Sequence, residues 1–168
     1  ERIAKTREAG ARVRLVADGD VATGIAACLD TSSIDICAGS GGAPEGVLAA
    51  AAVRCMGGQM QARLMFEDED QRQRAQKVNP HKKPDRKLGL LDLAAGDVLF
   101  SATGVTSGFL PDGVKRMPSS AVTHSLVMRS TPGTLRFIQG YPNFSTKTWG
   151  VRYEKSRDFS PVHAAQVR

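Results

Sequence analysis

Glu45 stands one residue past Pro44, behind the run Gly39-Ser40-Gly41-Gly42 and ahead of a helix-forming stretch, VLAAAAVRC. A helix N-terminus preceded by glycines presents free backbone N–H groups and a positive dipole end, a setting that suits phosphate. A carboxylate in the first turn is favoured there too, by a few tenths to ~1 kcal/mol. Glu45 therefore has two readings: a dipole-stabilising residue at an ordinary helix start, or a ligand to a divalent cation that holds a phosphoryl group beside the glycines. Oxygen donors alone select Mg²⁺ or Mn²⁺ over zinc. A second acidic group, Asp18-Gly19-Asp20, closes the stretch ARVRLVA. Asp-Gly-Asp is ordinary turn chemistry. With Gly19 bending the chain sharply, the same tripeptide is also able to turn both carboxylates into a crevice, where they accept hydrogen bonds from sugar hydroxyls.

Whether these groups meet depends on the elements that carry them. Glu1 to Ala9 reads as a helix stopped by Gly10. In Ala11 to Ala17, Val13 and Leu15 alternate with Arg12 and Arg14, the period of a strand. Val21 to Leu29 reads as a small-residue helix and Ile34 to Ala38 as a second short strand. That order predicts a βαβ unit with parallel strands whose carboxyl ends share one sheet edge, the edge where open α/β sheets bind ligands. Asp18, Asp20 and Glu45 are then expected to converge, although 27 positions separate the first from the last. The next helix is expected from Pro44 to about Met56, closed by Gly57-Gly58. Glu67 to Lys87 lacks apolar periodicity and reads as a solvated helix end followed by an exposed loop. Asp97 to Thr103 reads as a strand, and Ser125 to Ser130 with Thr134 to Gly140 as a hairpin around Thr131-Pro132-Gly133. Residues 1–143 are expected to form one α/β unit and 144–168 a tail of uncertain order.

Composition excludes several classes. A chain of 168 residues with 41% hydrophobic content builds one domain rather than two. Its net charge of +6 attracts polyanions in general, but aromatics are 5% and lack any basic interleaving, so a nucleic-acid platform is without its stacking residues. Salt-sensitive binding to DNA or RNA that survives Glu45→Ala would mark such a module. Cys28, Cys37 and Cys55 form no CxxC and lie in apolar sequence; buried, reduced thiols are expected. The apolar run Val47 to Val53 is far short of the ~20 residues that span a bilayer, and no signal-peptide layout is visible. A soluble, cytoplasmic protein is expected, and the opening on Glu1 within a helix suggests that residues precede it.

The blocks LVADGDVA (15–22), GSGGAPEGVLAAAAVRCMGGQMQARL (39–64), SATGVTSG (101–108) and THSLVMRS (123–130) together resemble the class II fructose-1,6-bisphosphatases, sugar phosphatases of the lithium-sensitive phosphohydrolase superfamily. The resemblance covers residues 1 to 139. It implies the C-terminal half of a layered α-β-α-β-α fold and hydrolysis of the 1-phosphate of fructose 1,6-bisphosphate, a step of gluconeogenesis, with sedoheptulose 1,7-bisphosphate as a possible second substrate. It also implies Mg²⁺ or Mn²⁺ as cofactor, Glu45 as a metal ligand, Asp18, Gly19 and Asp20 as sugar contacts and Gly42 as part of the substrate pocket. A homo-oligomer and an N-terminal half carrying the other metal carboxylates in a DPxEGT-like block are implied as partners; this chain contains no such block. One acidic ligand does not hold a two- or three-metal site, so the chain alone is expected to be inactive or nearly so. Ser107 departs from the aspartate typical of the family after TGVT. The rival reading is a truncated, non-catalytic homologue that binds a sugar phosphate or a partner subunit.

The remaining polar residues have plain readings. His124 is read as structural, for want of an evident carboxylate partner in the sequence. Thr103, Thr106 and Ser107 fit either a phosphate-binding loop or strand-end turns. His81, Lys82 and Lys83 read as a solvated face, and Arg129 and Arg136 as facing solvent or a partner subunit.

Overall fold

The structure, a computed structural model, describes residues 1–108 and 110–144. Most of the expected tail lies outside the described residues. A first short helix, α1 (Arg2–Glu8), ends at Gly10, whose φ of 85° is left-handed. Two further helices carry the candidate residues. Helix α2 (Asp20–Ala26) follows Gly19, and α3 (Ala43–Cys55) follows Gly42 with Pro44 in its first turn. Alanine-rich sequence favours α3, and its end at Met56 is a glycine stop. Gly57 takes φ 73° and donates to the carbonyl of Arg54 at 3.2 Å, while Gly58 donates to that of Val53 at 3.0 Å.

The sheet lies C-terminal to these helices. Strand β1 (Gln61–Ala62) pairs with β2 (Leu88–Gly89) as a small antiparallel ladder. Between them α4 (Glu69–Val78) buries no residue and is capped by Asp68, whose Oδ1 accepts from the Gln71 amide at 2.7 Å. This is the solvated stretch expected over 67–87. A single-turn helix, α5 (Leu90–Leu93), precedes β3 (Leu99–Thr103). The long β5 (Ala121–Arg129) is flanked by β3 on one side and β6 (Thr134–Gly140) on the other, and its first residues also pair with β4 (Lys115–Arg116). The hairpin register aligns Leu126 with Phe137, and Gly133 turns it with φ 75°.

Phe100, Leu126 and Met128 share one face of this sheet, and α2 and α3 cover it. Ile25, Ala52, Cys55, Phe100, Leu126 and Met128 form the buried cluster. Small residues on α3 let it lie close: Ala50 and Ala52 are fully buried, and the position facing Gly24 is occupied by Ala49. The C-terminal end of α3 is tied down, because the Arg54 guanidinium donates to the Ala94 carbonyl and Cys55 Sγ to that of Val98 at 3.7 Å. On α2, the buried Thr23 hydroxyl is satisfied by the Gly19 carbonyl at 2.9 Å.

The expected parallel βαβ unit is not formed. Residues 11–17 and 34–38 contain no strand, and every ladder among the described residues is antiparallel and joins residues between 61 and 140. A strand exists only as one side of a ladder, and neither segment has a neighbour to complete it. The alternation of Val13 and Leu15 was real, but no facing surface turns it into a buried strand face: Leu15, Val16 and Ile36 are all exposed. The architecture is mixed α and β with antiparallel sheets.

Candidate functional site

The convergence expected from strand tips arises instead from helix packing. Because α2 and α3 lie side by side, their first turns come together, with Asp20 opening one and Glu45 in the first turn of the other. Each side chain reaches one of two adjacent glycines. A Cβ added to Gly41 would sit 2.7 Å from Asp20 Oδ2, and one added to Gly42 would overlap Glu45 Oε2. Two carboxylates thus occupy the room left by two consecutive absent side chains. Asp20 and Glu45 are exposed, so water and a ligand reach them. Gly42 has an extended backbone, φ −64° and ψ 151°, and serves as N-cap of α3 without a side-chain cap. The first N–H groups of a 13-residue helix therefore open beside Glu45.

The Asp18-Gly19-Asp20 turn is formed as the sequence suggests. Gly19 takes φ 90°, a left-handed conformation that glycine adopts without strain, and its amide donates to Asp18 Oδ1 at 2.7 Å. That bond commits one oxygen of Asp18 to its own turn. Among the described residues no group of three His, Cys, Asp or Glu side chains is placed to hold a cation. Asp18, Asp20 and Glu45 therefore do not form such a group by themselves, and only Glu45 was expected to hold a cation, with Asp18 and Asp20 expected on the sugar. What is present fits one contribution to a hard cation: an exposed carboxylate seated against a glycine.

Cys37 was missed as a neighbour of this site. Of the three free thiols Cys55 is buried, Cys28 is half-buried and Cys37 is exposed, which corrects the expectation of three buried thiols. Crowding by neighbouring atoms and, second, the negative charge of Asp20 hold the Cys37 thiol above its ordinary value. Asp20→Asn removes that charge, so the Cys37 thiol is expected to ionise at lower pH. The rate of iodoacetamide alkylation at Cys37 against pH, followed by peptide mass mapping, checks this, and an unchanged profile contradicts it.

The other polar residues fall elsewhere. Thr103 and Ser125 exchange a hydroxyl hydrogen bond at 2.8 Å across β3 and β5, and Ser107 Oγ accepts from the Gly113 amide at 3.3 Å, so both close local structure. His124 Nε2 lies 3.1 Å from Gln139 Nε2, while its Nδ1 is buried with no partner among the described residues. His124, Gln139, Asp112 and Phe137 line an open cavity of about 450 Å³ that shares no residue with the Asp20 and Glu45 pair. No helix among the described residues is long and apolar enough to cross a membrane.

Comparison with known proteins shows the family of this chain. The family model of the bacterial, glpX-encoded fructose-1,6-bisphosphatase matches residues 1–141. Among curated relatives, proteins named D-fructose 1,6-bisphosphatase class 2/sedoheptulose 1,7-bisphosphatase match in three cyanobacteria. That of Trichodesmium erythraeum is 38% identical over 87% of this chain and 46% of its own length. That of Microcystis aeruginosa is 40% identical over 82% of this chain and 44% of its own length, and that of a Synechococcus strain 38% over 81% and 43%. The chain thus spans about half the length of the curated relatives it matches. With a family model matching residues 1–141 and relatives of 38–40% identity named as class 2 enzymes, the chain belongs to the bacterial class II fructose-1,6-bisphosphatase family.

Proposed function

We propose that this chain supplies the substrate-binding half of a metal-dependent phosphatase that hydrolyses the 1-phosphate of fructose 1,6-bisphosphate, and also accepts sedoheptulose 1,7-bisphosphate. The observation that carries the reading is the placement of the Asp20 carboxylate against Gly41 and the Glu45 carboxylate against the adjacent Gly42.

Each residue has a task in this reading. Glu45 offers a carboxylate oxygen to Mg²⁺ or Mn²⁺, with any further ligands coming from outside the described residues. When bound, such an ion supplies Lewis-acid polarisation of the phosphoryl group and a water of lowered pKa. The N–H groups at the start of α3 face the phosphoryl oxygens, and Gly42, having no side chain, leaves room for them. Asp18, with Oδ2 left for a ligand, and Asp20 accept hydrogen bonds from sugar hydroxyls and hold the ring in place. The layered α-β-α-β-α architecture and assembly into a homo-oligomer belong to the same reading.

The test is release of phosphate from fructose 1,6-bisphosphate with Mn²⁺ or Mg²⁺, by this chain and by a chain extended to the length of its relatives. Turnover by the extended chain is expected, and turnover by neither ends the enzyme reading. A second reading, a homologue that binds sugar phosphates without turnover, is favoured by the incomplete donor set and would then stand.

Asp20→Ala in the extended chain is expected to raise KM for the sugar bisphosphate by about ten- to a hundredfold, the worth of a hydrogen bond to a charged group, with kcat within about twofold. An unchanged KM removes Asp20 from the sugar site.

A further inference from the structure

Strand β6 is bonded on one side only. The Ala121 amide donates to the Pro142 carbonyl at 3.1 Å and the Phe144 amide to the Ser119 carbonyl at 2.8 Å, so odd-numbered residues between 119 and 129 turn their backbone groups toward the β6 side. The register sets Arg129 opposite Thr134, Val127 opposite Arg136, Ser125 opposite Ile138 and Thr123 opposite Gly140, so the even-numbered residues of β6 receive those bonds. Backbone direction alternates along an antiparallel strand. Leu135, Phe137 and Gln139 therefore turn N–H and C=O away from β5, to a side where no strand pairs with them among the described residues.

This edge lacks the usual guards. No proline and no break in register interrupts Thr134 to Gly140. Its one charged residue, Arg136, is drawn along its own strand, Nη1 donating to Thr134 Oγ1 at 3.2 Å. Every residue from Leu135 to Gln139 is exposed, Phe137 by 58% and Ile138 by 46%. A regular, apolar edge of this kind is a template for another strand. It is also complementary to itself. Two copies laid antiparallel about a two-fold axis at Phe137 set Phe137 opposite the partner's Phe137, Leu135 opposite the partner's Gln139 and Arg136 opposite the partner's Ile138. Every outward group of Leu135, Phe137 and Gln139 is then paired, an aromatic pair lies on the axis, and no like charges face each other. An axis at Arg136 opposes two guanidinium groups, and one at Ile138 leaves Leu135 with no β6 residue opposite it.

We infer that β6 is the surface through which two copies of this chain associate, joining their sheets into one continuous antiparallel sheet across a two-fold axis at Phe137. The surface would seat the homo-oligomer proposed above, but it rests on the geometry of β6 and not on the phosphatase reading.

Analytical ultracentrifugation of this chain over a range of concentrations, with amide hydrogen exchange beside it, is the test. A monomer–dimer equilibrium is expected, in which the amides of Leu135, Phe137 and Gln139 exchange at least about tenfold more slowly in the dimer than after dilution to the monomer. Phe137→Lys sets two cations face to face on the axis and is expected to raise the dimer Kd at least about tenfold. The melting temperature of the diluted variant should stay within about 3 °C of the parent, since that side chain is more than half exposed. Ile138→Glu sets a carboxylate opposite the partner's Arg136 and is expected to tighten the dimer at low salt, a gain that ~0.5 M salt removes. Should Phe137→Lys fail to fold, Gln139→Pro decides: it deletes an outward N–H, which an edge strand tolerates, and is expected to weaken the dimer likewise. A chain that stays monomeric at its highest soluble concentration overturns the inference, as does a dimer left intact by Phe137→Lys or Gln139→Pro. Ile138→Glu weakening the dimer at low salt overturns the axis at Phe137. Slow exchange of the three amides in a species that sizes as a monomer also overturns it, because the edge is then covered from within one chain. A dimer without phosphate release from the extended chain leaves this surface standing and removes the phosphatase reading; phosphate release by a monomer does the reverse.

Discussion

Glu45→Gln, in a chain extended to the length of its relatives, is expected to lower kcat for phosphate release from fructose 1,6-bisphosphate by about 10²- to 10³-fold while leaving the melting temperature nearly unchanged. The loss follows from what a cation ligand does: Lewis-acid stabilisation of a phosphoryl group is worth several kcal/mol, and about 1.4 kcal/mol is a factor of ten in rate. Stability is spared because Glu45 is exposed and lies in the first turn, away from the buried cluster of Ile25, Ala52, Cys55, Phe100, Leu126 and Met128. Its favourable interaction with the helix dipole contributes at most ~1 kcal/mol. Glutamine keeps the shape and removes the charge, so packing does not confuse the result. Steady-state phosphate release over a range of Mn²⁺ concentrations, with a thermal melt beside it, is the measurement. A rate within about threefold of the parent, together with an unchanged dependence on Mn²⁺, leaves Glu45 as a residue that merely favours its helix start.

Gly42→Ala tests the same carboxylate from its other side. The backbone at Gly42, φ −64° and ψ 151°, is open to alanine, so the exchange carries no backbone strain. Removing a glycine also narrows the unfolded ensemble, which is worth about 0.4–1 kcal/mol in favour of the folded state. The new Cβ, however, takes the place of Glu45 Oε2. An exposed glutamate moves aside at small cost, and the carboxylate then no longer sits where it did. Misplacing a reacting group by about 1 Å can cost a factor of 10². The expected outcome is a protein as stable as the parent or slightly more so, with kcat reduced by roughly ten- to a hundredfold. Combined with Glu45→Gln, Gly42→Ala should add only the part of its loss that comes from crowding the phosphoryl group, since the part that comes through the Glu45 carboxylate is already lost. Full additivity in that double-mutant cycle would show that Gly42 acts on the substrate independently of Glu45.

Local features of the fold were legible because their causes are local. Glycines at 10, 57 and 133 mark stops and a turn, and each takes positive φ where it was expected to act as punctuation. Pro44 and the alanine run specify α3, the alternation around Thr131-Pro132-Gly133 specifies the β5 and β6 hairpin, and the absence of apolar periodicity over 67–87 specifies a solvated helix. The family was legible for a similar reason, since the GGAPEG block and THSLVMRS are short runs read directly from the chain. The error lay at residues 11–17 and 34–38. Alternation records which side chains suit a sheet, but a ladder needs a second backbone, and a segment's own sequence cannot state whether one is present.

The sequence by itself therefore determined the approximate starts of α1, α2 and α3, the Asp-Gly-Asp turn, the hairpin, the family and the identity of the residues proposed for the site. Tertiary structure alone decided that the packing of α2 on α3 brings Asp20 to Gly41, next to the Gly42 that Glu45 rests against, that Asp18 spends an oxygen on its own turn, and that the Cys37 thiol is exposed and feels the charge of Asp20. The physical reason is range: caps, turns and periodicity arise from neighbours a few positions apart. The approach of α2 to α3 depends instead on residues far apart in the chain, Ile25 and Ala52 in one buried cluster and Gly24 against Ala49, whose contact exists only once the core has closed.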